Sequence, residues 1–200
     1  MLTSTYHALT RAPRKGAPLI FAFHGTGGDE HQFFDVTHQI APDAGVITPR
    51  GDVSEMGMAR YFRRTGEGVY DMEDLAQRTA RMVAFVQDHK AAHPYSALYG
   101  YGYSNGANIL ASVMMARPDL FDRVGLLHPL IPWSPDPVDL SDRRLLITAG
   151  RRDPICPWPL SQRLIDWAQA QGAQVTTAIH DGGHDLRQPE LVALKDLLTG

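Results

Sequence analysis

Ser104 stands at the centre of G-Y-S-N-G, between Gly102 and Gly106, in a segment that runs L-Y-G-Y-G-Y-S-N-G-A-N-I-L-A-S-V-M-M from Leu98 to Met115. A serine hydroxyl is a weak nucleophile at neutral pH and becomes competent when a histidine within hydrogen-bond reach takes its proton. His184, in the run H-D-G-G-H-D, follows Gly182 and Gly183, which allow a tight loop to project its ring. A buried carboxylate must then fix the imidazole tautomer and stabilise the imidazolium. Asp153, in G-R-R-D-P, follows an apolar run and falls between Ser104 and His184 in chain order. Asp181 and Asp185 sit too close to His184 along the chain to be preferred for that role, and read as loop caps. The order serine, aspartate, histidine is the one a G-x-S-x-G turn between strand and helix demands of its partners. The remaining histidines, His24 apart, carry no partner pattern and read as polar surface or satisfied core.

Attack on a carbonyl also needs donors for the negative charge that develops on its oxygen. In F-H-G-T-G-G-D, Gly25, Gly27 and Gly28 surround Thr26 and leave backbone N–H groups free of side-chain bulk. Where a nucleophile turn of this kind is used, one donor is the amide after the serine and the other comes from a loop behind an early strand, which assigns Asn105 and Thr26. An ordinary glycine turn would read the same way. His24 is expected to shape this loop rather than to titrate in the reaction.

These groups have to be held by regular elements. Pro18–Phe23, Ala44–Thr48, Leu98–Tyr103, Arg123–His128, Arg144–Ala149 and Gln174–Ile179 are short runs of the kind found in buried parallel strands, and Tyr6–Leu9 suits a short edge strand. Helices are expected from Asp71 to His93-Pro94, from Asn105 to Arg117-Pro118, over Ser161–Gln171 and over Gln188–Leu198. A further helix over Asp29–Ala41 would align His31, Asp35 and His38 on one face, where nothing nearby completes a metal site and a solvated face is the better reading. Alternating strands and helices specify an α/β fold, a mostly parallel central sheet with helices on both faces.

Pro49–Tyr70 shows no period and contains Gly51, Gly57, Gly66 and Gly68, so it reads as a long functional loop. Met56, Met58, Tyr61 and Phe62 are its candidates for walling an acyl or aryl pocket, or equally for covering the sheet edge. Arg63 and Arg64 are placed either on a substrate carboxylate or on Glu67 and Asp71. Leu130 and Ile131, in P-L-I-P-W with Trp133, and Trp158 are further pocket candidates near strand ends.

The 200 residues, with 44% hydrophobic content, suit one domain spanning 1–200. A net charge of −3, with no basic run longer than a pair, disfavours nucleic acid as a partner. Cys156 is the only cysteine, so no intrachain disulfide or thiolate zinc site is expected. The first residues lack the pattern of a signal peptide and no run approaches a membrane span, which predicts a cytoplasmic protein with no stable membrane association. Monomer and homodimer remain equal readings.

F-H-G-T-G-G-D, G-Y-S-N-G-A-N, A-G-R-R-D-P-I-C-P and G-G-H, in this order, resemble the bacterial phospholipase/carboxylesterase group of α/β-hydrolases, which is similar to the acyl-protein thioesterases. The resemblance spans nearly the whole chain. It implies the α/β-hydrolase fold without a cap domain, a Ser104, Asp153, His184 triad, Thr26 and Asn105 oxyanion amides, no cofactor, and a small-molecule ester as substrate. A carboxylesterase acting on short or medium acyl chains is expected. A lysophospholipase or acyl thioesterase would use the same residues, and a ligand-binding protein on a hydrolase scaffold is the reading from another class.

Overall fold

The computed structural model describes residues 6–200. Its strands are β1 (Ala8–Arg11), β2 (Leu19–Phe23), β3 (Gly45–Pro49), β4 (Val53–Glu55), β5 (Met58–Arg60), β6 (Arg64–Gly66), β7 (Val69–Tyr70), β8 (Leu98–Tyr103), β9 (Arg123–Leu127), β10 (Arg144–Gly150) and β11 (Gln174–His180). Its helices are α1 (Phe34–Ile40), α2 (Met72–Ala92), α3 (Asn105–Ala116), α4 (Trp158–Ala170) and α5 (Gln188–Thr199). Seven strands form one sheet in the order β1-β3-β2-β8-β9-β10-β11. Only β1 runs antiparallel, on β3. The other pairings are parallel, and the mostly parallel sheet expected from the sequence is the one found.

Strand β2 shows why the sheet needs cover on both faces. Leu19, Phe21 and Phe23 point into one core with residues of α2, α3 and α4, while Ile20 and Ala22 point into the other with residues of α1 and α5. All five are buried, and this continuous apolar run is what a central parallel strand requires. Phe21 meets Phe85 of α2 and Phe121 edge-on, with ring centroids 6.1 and 6.0 Å away. Burial of each such ring contributes on the order of 2–3 kcal/mol.

Helix α2 begins where Asp71 accepts the Asp74 N–H at 3.0 Å, and it ends at an extended His93 because the following Pro94 disfavours helical backbone there. Helix α1 is shorter than expected: it starts at Phe34, since Asp29 Oδ1 takes the His31 N–H at 2.9 Å and bends the chain into turns instead. His31 therefore does not share a helical face with Asp35 and His38. Helix α4 starts at Trp158, ahead of the expected Ser161, with Pro159 in its first turn.

The segment expected as a structureless loop is built from two small hairpins, β4–β5 and β6–β7. The first closes through Met56 and Gly57, both at positive φ (49° and 83°), the two-residue turn whose twist matches its strands. Strands of two or three residues are too short to show a period in sequence. Among the described residues, no helix is long and apolar enough to cross a membrane.

Candidate active site

Ser104, Asp153 and His184 follow the carboxyl ends of β8, β10 and β11, so the parallel sheet delivers all three to one edge. Ser104 has φ 53° and ψ −117°, outside the regions a side-chain-bearing residue ordinarily adopts. The turn is held there by packing: a methyl group on Gly106 would lie 2.3 Å from the Phe23 carbonyl oxygen, so only glycine lets α3 come so close to β2. The loops carrying Asp153 and His184 are drawn together in the same way. Arg152 N–H donates to Gly182 O at 2.9 Å, and a methyl on Gly150 would meet Gly183 O at 2.1 Å.

His184 Nε2 lies 2.9 Å from Ser104 Oγ, and its Nδ1 lies 2.7 Å from Asp153 Oδ2. Tyr103 O–H donates to the His184 carbonyl at 2.9 Å and fixes the loop that bears the ring. Asp153 is buried, and its Oδ1 accepts the N–H groups of Ile155 and Cys156 at 2.8 and 2.9 Å. Burial alone would raise the pKa of this carboxyl. Hydrogen bonds from His128, His184 and the two amides outweigh burial and hold it well below the usual carboxylate range. A hydroxyl, an imidazole and an ionised carboxylate in this chain can pass a proton from Oγ to the ring and stabilise the resulting charge.

The candidate oxyanion amides stand out by elimination. In the loop after β2, His24 N–H donates to Tyr61 Oη, Gly25 N–H to Gln32 Oε1, Gly27 N–H to Ala59 O and Gly28 N–H to Gly25 O. Ser104 N–H is likewise taken, by Leu127 O. The Thr26 and Asn105 amides make no such bond among the described residues, and Asn105 opens α3, where helix N–H groups are unpaired. His24 acts as part of the scaffold, as expected: Nδ1 meets Gly25 O at 2.7 Å and Nε2 accepts the Gly51 N–H at 2.9 Å. Burial lowers its pKa.

A cavity of about 270 Å³ opens on Ser104 and His184. Of the pocket candidates, Leu130 lines it, together with Ile155, Cys156, Tyr70 and Arg60. Tyr61 and Phe62 are instead fully buried in the core, where Tyr61 O–H donates to Pro49 O and Tyr61 N–H to Asn105 Oδ1, clamping the turn from behind. Met56 is 96% exposed at its hairpin tip, and Met58 packs over Gly27 outside the cavity. Ile131 faces the core and Trp158 lies under the Arg151 guanidinium at 4.6 Å, so neither reaches the cavity. Trp133 packs against Tyr70, also outside it. Arg63 turns away to Asp71 and Asp74 of the α2 start, and Arg64 pairs with Glu55 and Glu67.

Two histidines and a glutamate beside the site carry no motif in the sequence. His128, at the end of β9, is completely buried and lies with Nδ1 2.8 Å from Asp153 Oδ2 and Nε2 2.9 Å from Glu190 Oε1. Glu190 in turn approaches His180 Nε2 at 3.1 Å. A neutral imidazole has one N–H, and His128 faces a carboxylate with each nitrogen, so the arrangement calls for the imidazolium. Burial opposes that charge, but Asp153 and Glu190 prevail and raise the His128 pKa to about 9. Glu190 is held low despite its burial, chiefly by His128. The side chains of His128, Asp153 and His184, and of His128, His180 and Glu190, each gather within 4.8 Å, and a cation there would have to displace the proton that the two carboxylates favour on His128. The available signal was position: a histidine just past a parallel strand at the edge that carries Ser104 and Asp153.

No family model matches the chain. It is 36% identical over 175 residues to the Bacillus subtilis protein named "Putative hydrolase MhqD", covering 86% of this chain and 88% of that one. The solved structure of Atu2452 from Agrobacterium tumefaciens, a protein of unknown function, is 49% identical, with a TM-score of 0.93 over 96% of this chain and 95% of that one. A Bacillus cereus carboxylesterase is 30% identical, with a TM-score of 0.91 over 97% of this chain and 93% of that one. With these relatives matched over nearly their full length, the chain belongs to the α/β-hydrolase esterase family.

Proposed function

We propose that this protein hydrolyses carboxylic esters of small acyl groups through a Ser104, His184, Asp153 triad. Ser104 Oγ attacks the ester carbonyl while His184 Nε2 takes its proton, and the Thr26 and Asn105 amides hold the tetrahedral oxyanion. His184 then protonates the leaving alcohol, and water resolves the acyl-enzyme by the same route in reverse. The observation that carries the reading is the continuous contact from Ser104 Oγ through His184 to Asp153, at 2.9 and 2.7 Å, on a strained turn. Kinship with a carboxylesterase supports ester hydrolysis, and a cavity of about 270 Å³ favours short acyl chains over long ones.

The test is turnover of p-nitrophenyl esters from two to twelve acyl carbons by the wild type and by Ser104→Ala. A rate that needs Ser104 and peaks at short chains is expected. A peak at long chains would move the assignment to lysophospholipase or thioesterase chemistry. A folded protein with no Ser104-dependent rate on any of them would leave a ligand-binding role.

A further inference from the structure

The hairpin segment M-A-R-Y-F-R-R brings Arg60, Arg63 and Arg64 into a short stretch, and the fold separates their fates. Arg63 is exposed and bonded to the start of α2. Arg64 lines the cavity beside Glu67, and two carboxylates neutralise it. Its Nε donates to Glu55 Oε1 and Oε2 at 2.9 and 3.2 Å, and its Nη1 to Glu67 Oε2 at 2.8 Å.

Arg60 is the exception. It is 4% exposed, yet it lines the cavity that opens on Ser104. Its hydrogen bonds among the described residues go only to neutral acceptors, Thr26 Oγ1 at 2.8 Å from Nη1 and Phe62 O at 3.4 Å from Nε. The Phe62 ring lies 5.7 Å from the guanidinium carbon. Glu55 Oε2 stands 3.5 Å from Nη1 without a hydrogen bond, its bonds being with Arg64. A cation removed from water and left short of charged acceptors is costly, and an anion entering the cavity would relieve that cost. Burial, and then the neighbouring Arg64, act against the Arg60 charge, and Glu55 and Glu67 offset them only in part. Thr26 ties the two halves of the site together: its hydroxyl holds Arg60, and its amide is the oxyanion donor of the proposed reaction.

We propose that Arg60 makes this site selective for small esters that carry a second, ionised carboxylate, such as half-esters of short dicarboxylic acids. The proposal rests on the esterase reading and names its substrate class. The ester carbonyl sits between Ser104 Oγ and the Thr26 amide, and the free carboxylate reaches the Arg60 guanidinium across the same cavity.

The test compares anionic esters with their neutral methyl esters. Monomethyl glutarate against dimethyl glutarate places the free carboxylate in the acyl part, and acetoxyacetate against methyl acetoxyacetate places it in the alcohol part. Turnover is followed by acid release at constant pH. In the wild type, kcat/KM for the anionic member of at least one pair should exceed that of its neutral partner by about tenfold or more, the scale of a charge-assisted hydrogen bond. Arg60→Met should bring that ratio to about 1.

The ratio is the readout because a merely structural Arg60, bracing Thr26, would slow both members of a pair alike. A wild-type ratio near 1 for both pairs, or a high ratio that survives Arg60→Met, overturns the proposal. Should Arg60→Met fail to fold, inhibition of wild-type neutral-ester turnover serves instead. Glutarate should compete and glutaramide should not, and equal effects of the two would overturn the proposal. Absence of Ser104-dependent turnover on all four esters would strike the esterase reading itself.

Discussion

His128 and His184 meet the same oxygen: both rings point Nδ1 at Asp153 Oδ2, at 2.8 and 2.7 Å. The carboxylate that orients His184 is thus also one wall of a buried cation, and Glu190 is the other wall. Asp153 cannot swing to serve one histidine without abandoning the other. The partnership holds the carboxylate still for His184, and it ties the integrity of the site to the charge on His128.

Asp153→Asn tests that double duty. An amide whose oxygen keeps the Ile155 and Cys156 N–H groups turns its NH2 toward both imidazoles, which favours the wrong tautomer of His184. A fall in kcat of about 10⁴ is expected. Stability should fall in parallel, because His128 loses a counter-charge. Steady-state kinetics beside urea unfolding checks both, and an active Asp153→Asn enzyme would remove Asp153 from the triad.

His128→Leu should destabilise the protein by about 3–5 kcal/mol, since it leaves the buried Glu190 and Asp153 without their cation. Adding Glu190→Leu should recover part of that loss, because a buried carboxylate leaves with its partner. Denaturant unfolding of the two variants reads the difference. Equal stability of His128→Leu and the wild type would mean that the ring carries no charge.

The same pair predicts a pH dependence. His128 has a folded-state pKa of about 9, above its ordinary value of 6.5, so its contribution to stability is complete below pH 6.5 and is lost as pH rises through 9. Asp153 and Glu190 are shifted downward, so theirs is present above the ordinary carboxylate range and is lost on acidification through their lowered values. Unfolding free energy measured from about pH 6 to about pH 10 should decline in the wild type. In His128→Leu the decline should be much smaller between about pH 6.5 and about pH 8.5. The fall that remains toward about pH 10 should be that of the Cys156 thiol and the buried tyrosines, whose burial raises their pKa values.

Gly106→Ala places a methyl 2.3 Å from Phe23 O, and backbone atoms cannot yield as a side-chain tip can. A loss of about 1–3 kcal/mol or more is expected. Esterase activity should suffer further, because the turn that aims Ser104 must open. Thermal unfolding and p-nitrophenyl acetate turnover of the purified variant would show it, and a variant matching the wild type in both would mean the close approach is not needed.

Cys156 borders the cavity but is almost completely buried, and its thiol contacts His128 O at 3.2 Å. Burial, with help from the Asp153 charge, pushes its pKa far above the ordinary thiol value. Iodoacetamide should leave the native protein unmodified and label Cys156 only in denaturant, as read by intact mass. Rapid labelling of the folded enzyme would contradict that environment.

Chain order and local spacing put Ser104, Asp153, His184, Thr26 and Asn105 forward as candidates, and the structure brings all five to one sheet edge. The reason is that glycine-flanked turns after apolar strands are local features: the backbone they need is written in neighbouring residues. The parallel sheet was legible for the same reason, through strands such as Leu19–Phe23 that are apolar on both faces. The cavity wall was not. Tyr61, Phe62 and Arg60 are adjacent, yet two are sealed in the core and the third lines the cavity, a choice made by the twist of a hairpin too short to announce itself. His128 directly follows β9, Glu190 and His180 lie on α5 and β11, and each looks ordinary alone. Their meaning as a buried charge chain exists only once the sheet order sets β9 beside β10 and β11 and lays α5 across them. A pair of charges costs or stabilises according to distance and burial, and neither quantity is carried by sequence spacing.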